Sequence, residues 1–359
     1  MAAEVLFEAR GTLGVIRLNR PGAMNALNLN MVRQMLHQLQ EWCDDPGVSQ
    51  VLVLGAGDRG LCAGGDVRSI YEDIRATRAS GRDDYTTTEF FATEFRLNHL
   101  ISQYPKPYIA FMDGATLGGG IGISAHGRHR VVTERTKAGM PETTIGYFPD
   151  VGGTHLLARS PGRAGLHAGL TAGIFGAADT IHLGLADVYV PSGKLAALAE
   201  ALEQETFDQV KAGFTETPPV APLRSAQDWI DDAYSAETAE EILERLAAWG
   251  ATHPDAARAR EDILSKSPTA LKLTLHGIRE ASRLELSAAL VREYAAGQHQ
   301  LRGHDFAEGI RAQVIDRDRS PRWDPATLPE VDEMRIEEHF LPGPHPTFEL
   351  FSPIQEAHS

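Results

Sequence analysis

The sequence predicts an α/β fold that gives way to a helical C-terminal region. Up to about residue 190, short apolar runs ending in glycine or proline alternate with longer segments of helical period. Beyond Pro191 the strand-like runs stop, and the remaining apolar positions recur at helical spacing.

Taken in order, TLGVIRLNRP (12–21) reads as a short strand closed by Pro21, which restricts the residue before it. NLNMVRQMLHQLQEWCDD (28–45) sets Met31, Met35, Leu36, Leu39 and Trp42 on one helical face, with Asn28 or Asn30 as the N-cap. VSQVLVLGAG (48–57) is a buried strand ending in glycine, and LCAGGDVRSIY (61–71) is a glycine-rich turn entering a helix. TEFFATEFRLNHLISQY (88–104) is a second amphipathic helix. KPYIAFMDGATLGGG (106–120) runs strand then loop, and residues 121–143 run helix, strand, loop.

After Pro191, GKLAALAEALEQETF (193–207) and AETAEEILERLAAWG (236–250) are helical, and TPPVAPL (217–223) between them is too rich in proline for a regular element. Residues 267–303 read as two helices, and the Pro-rich tail as irregular. The expected organisation is an α/β core over 1–191, a helical region over 192–345 and an irregular tail over 346–359.

Lys and Arg number 34 against 49 Asp and Glu, a net charge of −15. A polyanion needs a broad basic surface, so a nucleic-acid partner is excluded, while one small anionic ligand held by local cations is compatible. The two cysteines, Cys43 and Cys62, form neither a disulfide framework nor a C-x-x-C pair, so a reducing, cytoplasmic setting is expected. MAAEVLFEARGTLG carries early acids and no basic stretch before an apolar core, so no signal peptide is expected. No 18-residue apolar run exists, so no membrane span is expected either.

The densest local signal is GATLGGGIGISAHG (114–127), with six glycines. It pairs with a second glycine turn, Ala63-Gly64-Gly65-Asp66. Each follows an apolar run and precedes a helical pattern, where backbone N–H groups lack partners and can face developing negative charge. Tight chain reversal with close packing explains the same glycines. Gly120-Ile121-Gly122-Ile123-Ser124-Ala125 also fits G-x-G-x-x-A, with Glu142 twenty residues past Gly122, although the segment lies deep in the chain and basic residues crowd its far side. It is not a nucleophile elbow, because the second glycine is missing. His126 and His129 have no carboxylate or thiol nearby in sequence, which favours a solvated helix end over a metal site. Cys62 reads as a small packed residue.

MPETTIGYFPDVGG (140–153) sets two carboxylates, Glu142 and Asp150, among apolar and small residues. Poor solvation there raises a carboxyl pKa toward neutrality, which suits acid–base or nucleophilic work; a helix cap and a turn aspartate are the plainer readings.

LNRPGAMNAL (18–27), LCAGGDV (61–67), KPYIAFMDGATLGGGIGIS (106–124), AGMPETTIGYFPDVGGTHLLAR (138–159), GLADVYVP (184–191) and HDFAEGIRAQVIDRDRSPRW (304–323), in this order, resemble the enoyl-CoA hydratase/isomerase (crotonase) superfamily. The resemblance implies a crotonase-like β-β-α spiral core and an acyl-CoA thioester substrate. It assigns the two oxyanion-hole N–H groups to Gly65 and Gly119, with Ala63 and Asp66 beside the substrate. Hydratases of this family carry two glutamates; at the first of those positions this chain has Gly122, and at the second Glu142.

MPETTIGYFPDVGG instead resembles the 3-hydroxyisobutyryl-CoA hydrolase branch, which serves valine degradation. That likeness makes Glu142 and Asp150 the catalytic carboxylates and puts Glu94 on the acyl pocket. Thr154 and His155 depart from the branch's glycine and aromatic. Arg20, Arg59 and Arg68, close to the first two motifs, are candidates for the CoA phosphates. No metal is implied, nor any cofactor beyond the coenzyme A of the substrate, and a trimeric or hexameric homo-oligomer is expected. Three other readings remain: a hydratase or isomerase using Glu142 with one partner, an acyl-CoA-binding protein without turnover, and a nicotinamide oxidoreductase.

Overall fold

The computed structural model describes residues 3–342, so the tail expected over 346–359 lies outside the described residues. The chain opens with a hairpin, β1 (Val5–Arg10) and β2 (Leu13–Leu18), turning at Gly11 with φ +57°. The sequence reading missed β1. Its outer half is exposed, so it lacks a continuous apolar run. The first helix, α1 (Leu29–Asp44), is capped as expected: the Asn28 side chain accepts from the Met31 N–H at 2.9 Å. Met31, Met35, Leu39 and Trp42 are buried, with Leu36 at the edge of that face.

From there each turn of the chain gives one strand to each of two sheets. β3 (Gln50–Gly55) leads to β4 (Gly60–Cys62) and then to α2 (Val67–Ser80) and α3 (Thr87–Ser102). β5 (Tyr108–Met112) leads to β6 (Ala115–Leu117) and the single-turn α4 (Gly119–Gly122). β7 (His129–Val132) leads to β8 (Lys137–Gly139), a 3₁₀ turn at Glu142–Ile145, then α5 (Gly153–Leu157), α6 (Ala164–Thr171) and α7 (Ala177–His182). With β9 (Val188–Tyr189), the first strands form a sheet in the order β1-β2-β3-β5-β7-β9, parallel after the hairpin. The second strands form a smaller parallel sheet, β4-β6-β8. This repeated β-β-α path is the spiral that the family resemblance implies. The small-sheet strands had been read as turn or loop, because three residues are too few to show a period.

The region after Pro191 packs on both sides of this core. α8 (Leu195–Ala201) and α9 (Phe207–Phe214) bring Leu198, Leu202, Phe207 and Val210 against Val15, Leu52, Phe111 and Val131 of the large sheet. The sequence pattern predicts one helix over 193–207. It divides because the buried Gln50 amide donates to the carbonyls of Leu202 (2.8 Å) and Glu205 (2.7 Å), while Thr206 and Gln209 form a capping box that starts α9. On the other side lie α10 (Pro222–Ser225), α11 (Gln227–Ala233), α12 (Ala239–Gly250), α13 (Pro254–Leu264), α14 (Pro268–Ala281), α15 (Leu286–Arg302), α16 (His304–Ile310) and α17 (Glu333–His339). Their apolar residues join those of the spiral in one continuous core, from Val5 to Phe340.

Gly120 sets how closely α4 seats on β4. A Cβ there would stand 2.5 Å from the Cys62 carbonyl oxygen and 3.1 Å from its Cβ. Gly120→Ala should therefore lower stability by about 1–3 kcal/mol through overpacking. It should also cost activity, because α4 begins at Gly119. Thermal unfolding alongside an activity assay checks both, and an unchanged melting temperature would mean that the backbone there gives freely.

Candidate active site

The small sheet gathers the motifs. β4, β6 and β8 are parallel neighbours, so their C-terminal ends lie along one edge. Ala63-Gly64-Gly65 leaves β4, Gly118-Gly119 leaves β6, and Met140-Pro141-Glu142 leaves β8. Leu27 pairs with this edge: its N–H donates to the Gly64 carbonyl, and its own carbonyl accepts from the Asp66 N–H. In a trans peptide C=O and N–H point opposite ways, so the Gly65 N–H is turned away from Leu27. The Gly119 N–H sits at the first residue of α4, where no intrahelical partner exists. Neither N–H donates to another group among the described residues. The two are close: a methyl on Gly119 would stand 3.4 Å from the Gly65 nitrogen.

These groups open on a cavity of about 250 Å³. It falls just below the usual span of a ligand site, roughly 300–1,000 Å³, and so suits the acyl end of a thioester rather than a whole coenzyme A. One wall is aromatic: Phe90 and Phe91 from α3, Tyr147, and Phe306 from α16. Tyr147 stacks on Phe306 with ring centres 4.4 Å apart and on Phe148 at 4.7 Å.

Three carboxylates face this space, and all are buried: Glu94 at 3 % exposure, Glu142 at 8 % and Asp150 at 7 %. Glu142 Oε1 lies against Gly118 and Glu94 Oε1 against Gly119; a Cβ on either glycine would come within 2.5 Å of those oxygens. Among the described residues Glu142 Oε2 and Glu94 Oε1 have no hydrogen-bond partner. Burial first, and then the charge of Asp150, hold both glutamates well above the usual carboxylate range. Burial pushes Asp150 up to about 7. The Tyr147 hydroxyl lies near enough to draw that value down somewhat, although it completes no hydrogen bond of full geometry. Acids this close titrate as a set.

The sequence-predicted residues divide. Ala63, Gly65, Glu94, Gly119, Glu142 and Asp150 line the cavity. Asp66 lies outside it, capping α2 through the Ser69 N–H and accepting from Arg20 at 2.9 Å. Arg20 is engaged by Asp66, by Glu4 at 3.1 Å and by the Ala26 carbonyl at 2.6 Å. Arg68 is exposed on α2 and donates to the Val314 carbonyl at 3.3 Å. Arg59 precedes β4, at the opposite end of that strand from Ala63.

His126 does not sit at a solvated helix end. Its Nε2 is 2.7 Å from the Val151 carbonyl, and burial lowers its pKa to about 4. The G-x-G-x-x-A stretch opens only the one-turn α4, not the long helix of a dinucleotide-binding unit. Cys62 is fully buried, with its thiol pushed up to about 12, and behaves as packing.

Sequence reasoning missed Tyr147, Val151 and Phe306, and it missed Glu293 on α15. Glu293 is 1 % exposed and accepts from the N–H groups of Gly152 (2.6 Å) and Thr154 (3.0 Å) and from the Thr154 hydroxyl. Val151 holds φ +52°, a left-handed conformation rare for a β-branched residue. The acid among apolar neighbours was the usable signal for Asp150; nothing in LELSAALVREY (284–294) distinguishes Glu293 from a surface glutamate.

The raised Asp150 pKa fixes the sign of a stability effect. Between the unfolded value of 3.8 and the folded value of about 7, the native state holds a proton that the unfolded chain has lost. Stability falls as pH rises through that window and then levels. Asp150→Asn, which does not titrate, should therefore exceed the parent by about 2–4 kcal/mol above pH 7. The gain should vanish near pH 4. Chemical denaturation at both pH values checks this, and a gain independent of pH would place its cause elsewhere.

The family model for enoyl-CoA hydratase/isomerase matches residues 13–340. The human mitochondrial 3-hydroxyisobutyryl-CoA hydrolase is 41 % identical over 350 residues, covering 94 % of this chain and 89 % of that protein. Its zebrafish (Danio rerio) counterpart is 39 % identical over 353 residues, with the same two coverages. Among solved structures, a carnitinyl-CoA dehydratase from Mycobacterium thermoresistibile is 44 % identical with a TM-score of 0.91, covering 97 % of this chain and 99 % of that one. An enoyl-CoA hydratase from Rhodobacter sphaeroides 2.4.1 is 37 % identical with a TM-score of 0.86, covering 95 % and 98 %. With its spiral of paired strands and its two glycine turns on one sheet edge, the chain belongs to the enoyl-CoA hydratase/isomerase family.

Proposed function

We propose that the chain is an acyl-CoA thioester hydrolase acting on 3-hydroxyisobutyryl-CoA or a close 3-hydroxyacyl-CoA. The observation that carries this reading is the convergence of the unpaired Gly65 and Gly119 N–H groups with Glu142 and Asp150 in one cavity. The thioester carbonyl oxygen takes both N–H groups as its charge develops; one such donor is worth roughly 3–4 kcal/mol in the transition state. Glu142 draws a proton from water, or attacks the carbonyl carbon to give an anhydride that water then opens. In both routes the C–S bond breaks, and a new C–O bond leaves a free acid. Asp150, poised near neutrality, returns a proton to the departing thiolate and takes the substrate 3-hydroxyl as a hydrogen-bond partner.

The relatives' names differ, and position 122 weighs between them. By the family resemblance, a hydratase would use a glutamate there. This chain has Gly122, and a Cβ at that position would stand 2.7 Å from Val151 Cβ and 2.9 Å from Asn98 Nδ2. The space for a second carboxylate is filled, which favours hydrolysis. The intact carboxylates speak against a binder without turnover.

Of the arginines, Arg68 is the proposed phosphate contact, since Arg20 is committed to Glu4 and Asp66. Among the described residues no helix is long and apolar enough to cross a membrane. The hydrolase relatives are named as mitochondrial. For this chain we propose a cytoplasmic, reducing setting, in keeping with two free cysteines, and a homo-oligomer, trimeric or hexameric.

At matched concentrations, release of free CoA from 3-hydroxyisobutyryl-CoA, followed with a thiol reagent, should far outpace hydration of crotonyl-CoA. The opposite ranking would put the chain among the hydratases. Glu142→Gln should lose about 10²-fold or more on every acyl-CoA the enzyme accepts, because the amide is neither base nor nucleophile. Asp150→Asn should cut kcat/KM more for 3-hydroxyacyl substrates than for those lacking the hydroxyl, since a site built for a hydroxyl discriminates by that bond. Equal losses on both would remove Asp150 from substrate recognition.

A further inference from the structure

We propose that Glu293 is a positioning residue for this reaction: it clamps the Asp150–Thr154 turn and so places the Asp150 carboxyl group against the substrate. The inference rests on the thioesterase reading for what Asp150 does, and on geometry for how it is held. Asp150 is followed by two left-handed residues, Val151 at φ +52° and Gly152 at φ +80°, a path that needs support from outside. Two side chains supply it. His126 Nε2 engages the Val151 carbonyl at 2.7 Å from the spiral. Glu293 takes the Gly152 N–H, the Thr154 N–H and the Thr154 hydroxyl from the helical region. Both carboxylate oxygens of Glu293 are occupied and the side chain is buried, so its partners fix it in one orientation.

Its charge also reaches the site. Asp150 acts on Glu293, and Glu293 on Glu142 and Tyr147. From α3 the acid facing this cluster is Glu94, which Asp150 acts on in turn. On the other elements that meet α15, the ionisable groups engage other partners: His155 of α5 feels Arg159 and His126, His276 of α14 meets Arg292, Asp305 of α16 is hydrogen-bonded to Ser267, and His339 of α17 lies tilted against the His299 ring. Burial pushes Glu293 itself up to about 8, above Asp150, so its charge appears only near and above that pH and falls on Glu142 rather than on Asp150; removing it therefore lowers the proton affinity of Glu142.

The test uses the full chain with Glu293→Gln, which keeps the size but presents an amide donor toward one of the N–H groups. CoA release from 3-hydroxyisobutyryl-CoA is followed between about pH 5 and 9. Expected are a kcat lower by about tenfold or more, a KM within about threefold, and a rate midpoint above about pH 8 moved to lower pH by about half a unit or more. Thr154→Val, which removes one bond and leaves the carboxylate, should move the midpoint in the same direction by less, and it serves if Glu293→Gln does not fold. A carbon-13 titration of the Glu142 carboxyl, assigned by its loss in Glu142→Gln, reads the same shift without turnover. A lower melting temperature with kcat per folded molecule and both midpoints unchanged would overturn the proposal. Absence of CoA release by the unsubstituted protein would instead sink the thioesterase reading, and the carboxyl titration would still decide Glu293.

Discussion

The three-residue strands of the small sheet are the constraint on which the site depends. A parallel ladder puts like ends together, so β4, β6 and β8 deliver Gly65, Gly119 and Glu142 to one edge without long-range adjustment. The register, Cys62 with Thr116 and Leu117 with Gly139, is kept by backbone contacts that exclude side chains. A Cβ on Gly60 would stand 2.3 Å from the Ala115 nitrogen, and one on Gly139 2.2 Å from the Gly173 carbonyl oxygen. Glycine in this sheet therefore serves two ends. At Gly60, Gly120 and Gly139 it lets main chains meet. At Gly118 and Gly119 it leaves room for carboxylate oxygens.

Four buried carboxyl groups, Glu94, Glu142, Asp150 and Glu293, share this low-dielectric region, and no buried cation among their principal perturbers neutralises them. Such a set stays partly protonated at neutral pH, because each added charge raises the cost of the next. That arrangement supplies an acid and a base from the same kind of side chain. It also lowers stability, and the helical region offsets the loss by holding the loops rigid. The backbone of α16 presses on the Glu142 turn, where a Cβ on Gly146 would stand 2.3 Å from the Asp305 carbonyl oxygen. α15 grips the Asp150 turn through Glu293. The residues beyond Pro191 thus touch both Glu142 and Asp150 at one remove.

This division explains what could be read in advance. α1 was legible up to its cap, since amphipathic period acts locally; the choice between Asn28 and Asn30 as the cap fell to the fold, which uses Asn28. The two glycine turns and the acids of MPETTIGYFPDVGG were legible as chemistry, because glycine beside an apolar run and a carboxylate among apolar neighbours are unusual anywhere. The resemblance, more than periodicity, made them one site. β1, β4, β6 and β8 were not legible: strands that are half exposed or three residues long carry no period. Glu293 and Phe306 were invisible because their roles arise from packing across more than 130 residues of chain, as the 141-residue separation between Gly152 and Glu293 shows. Arg20 misled for the opposite reason. Its nearness to a motif suggested a phosphate contact, and the fold spends its donors on Glu4, Asp66 and Ala26.

Val151 ties these strands together. Its left-handed backbone costs on the order of 1–3 kcal/mol, a strain tolerated only where surroundings impose it. That conformation carries its side chain toward Gly122, the position that the family resemblance gives to a hydratase glutamate. The same residue's carbonyl is taken by His126, and the next N–H by Glu293. The turn that fills the hydratase position is therefore the turn that presents Asp150. The two positions are tied together: the chain path that brings Asp150 into the cavity sets Val151 against Gly122 and leaves no volume there for a longer side chain. Restoring glutamate at 122 alone would collide with Val151, so a change of activity toward hydration would require rebuilding the 150–154 turn together with its clamp on α15.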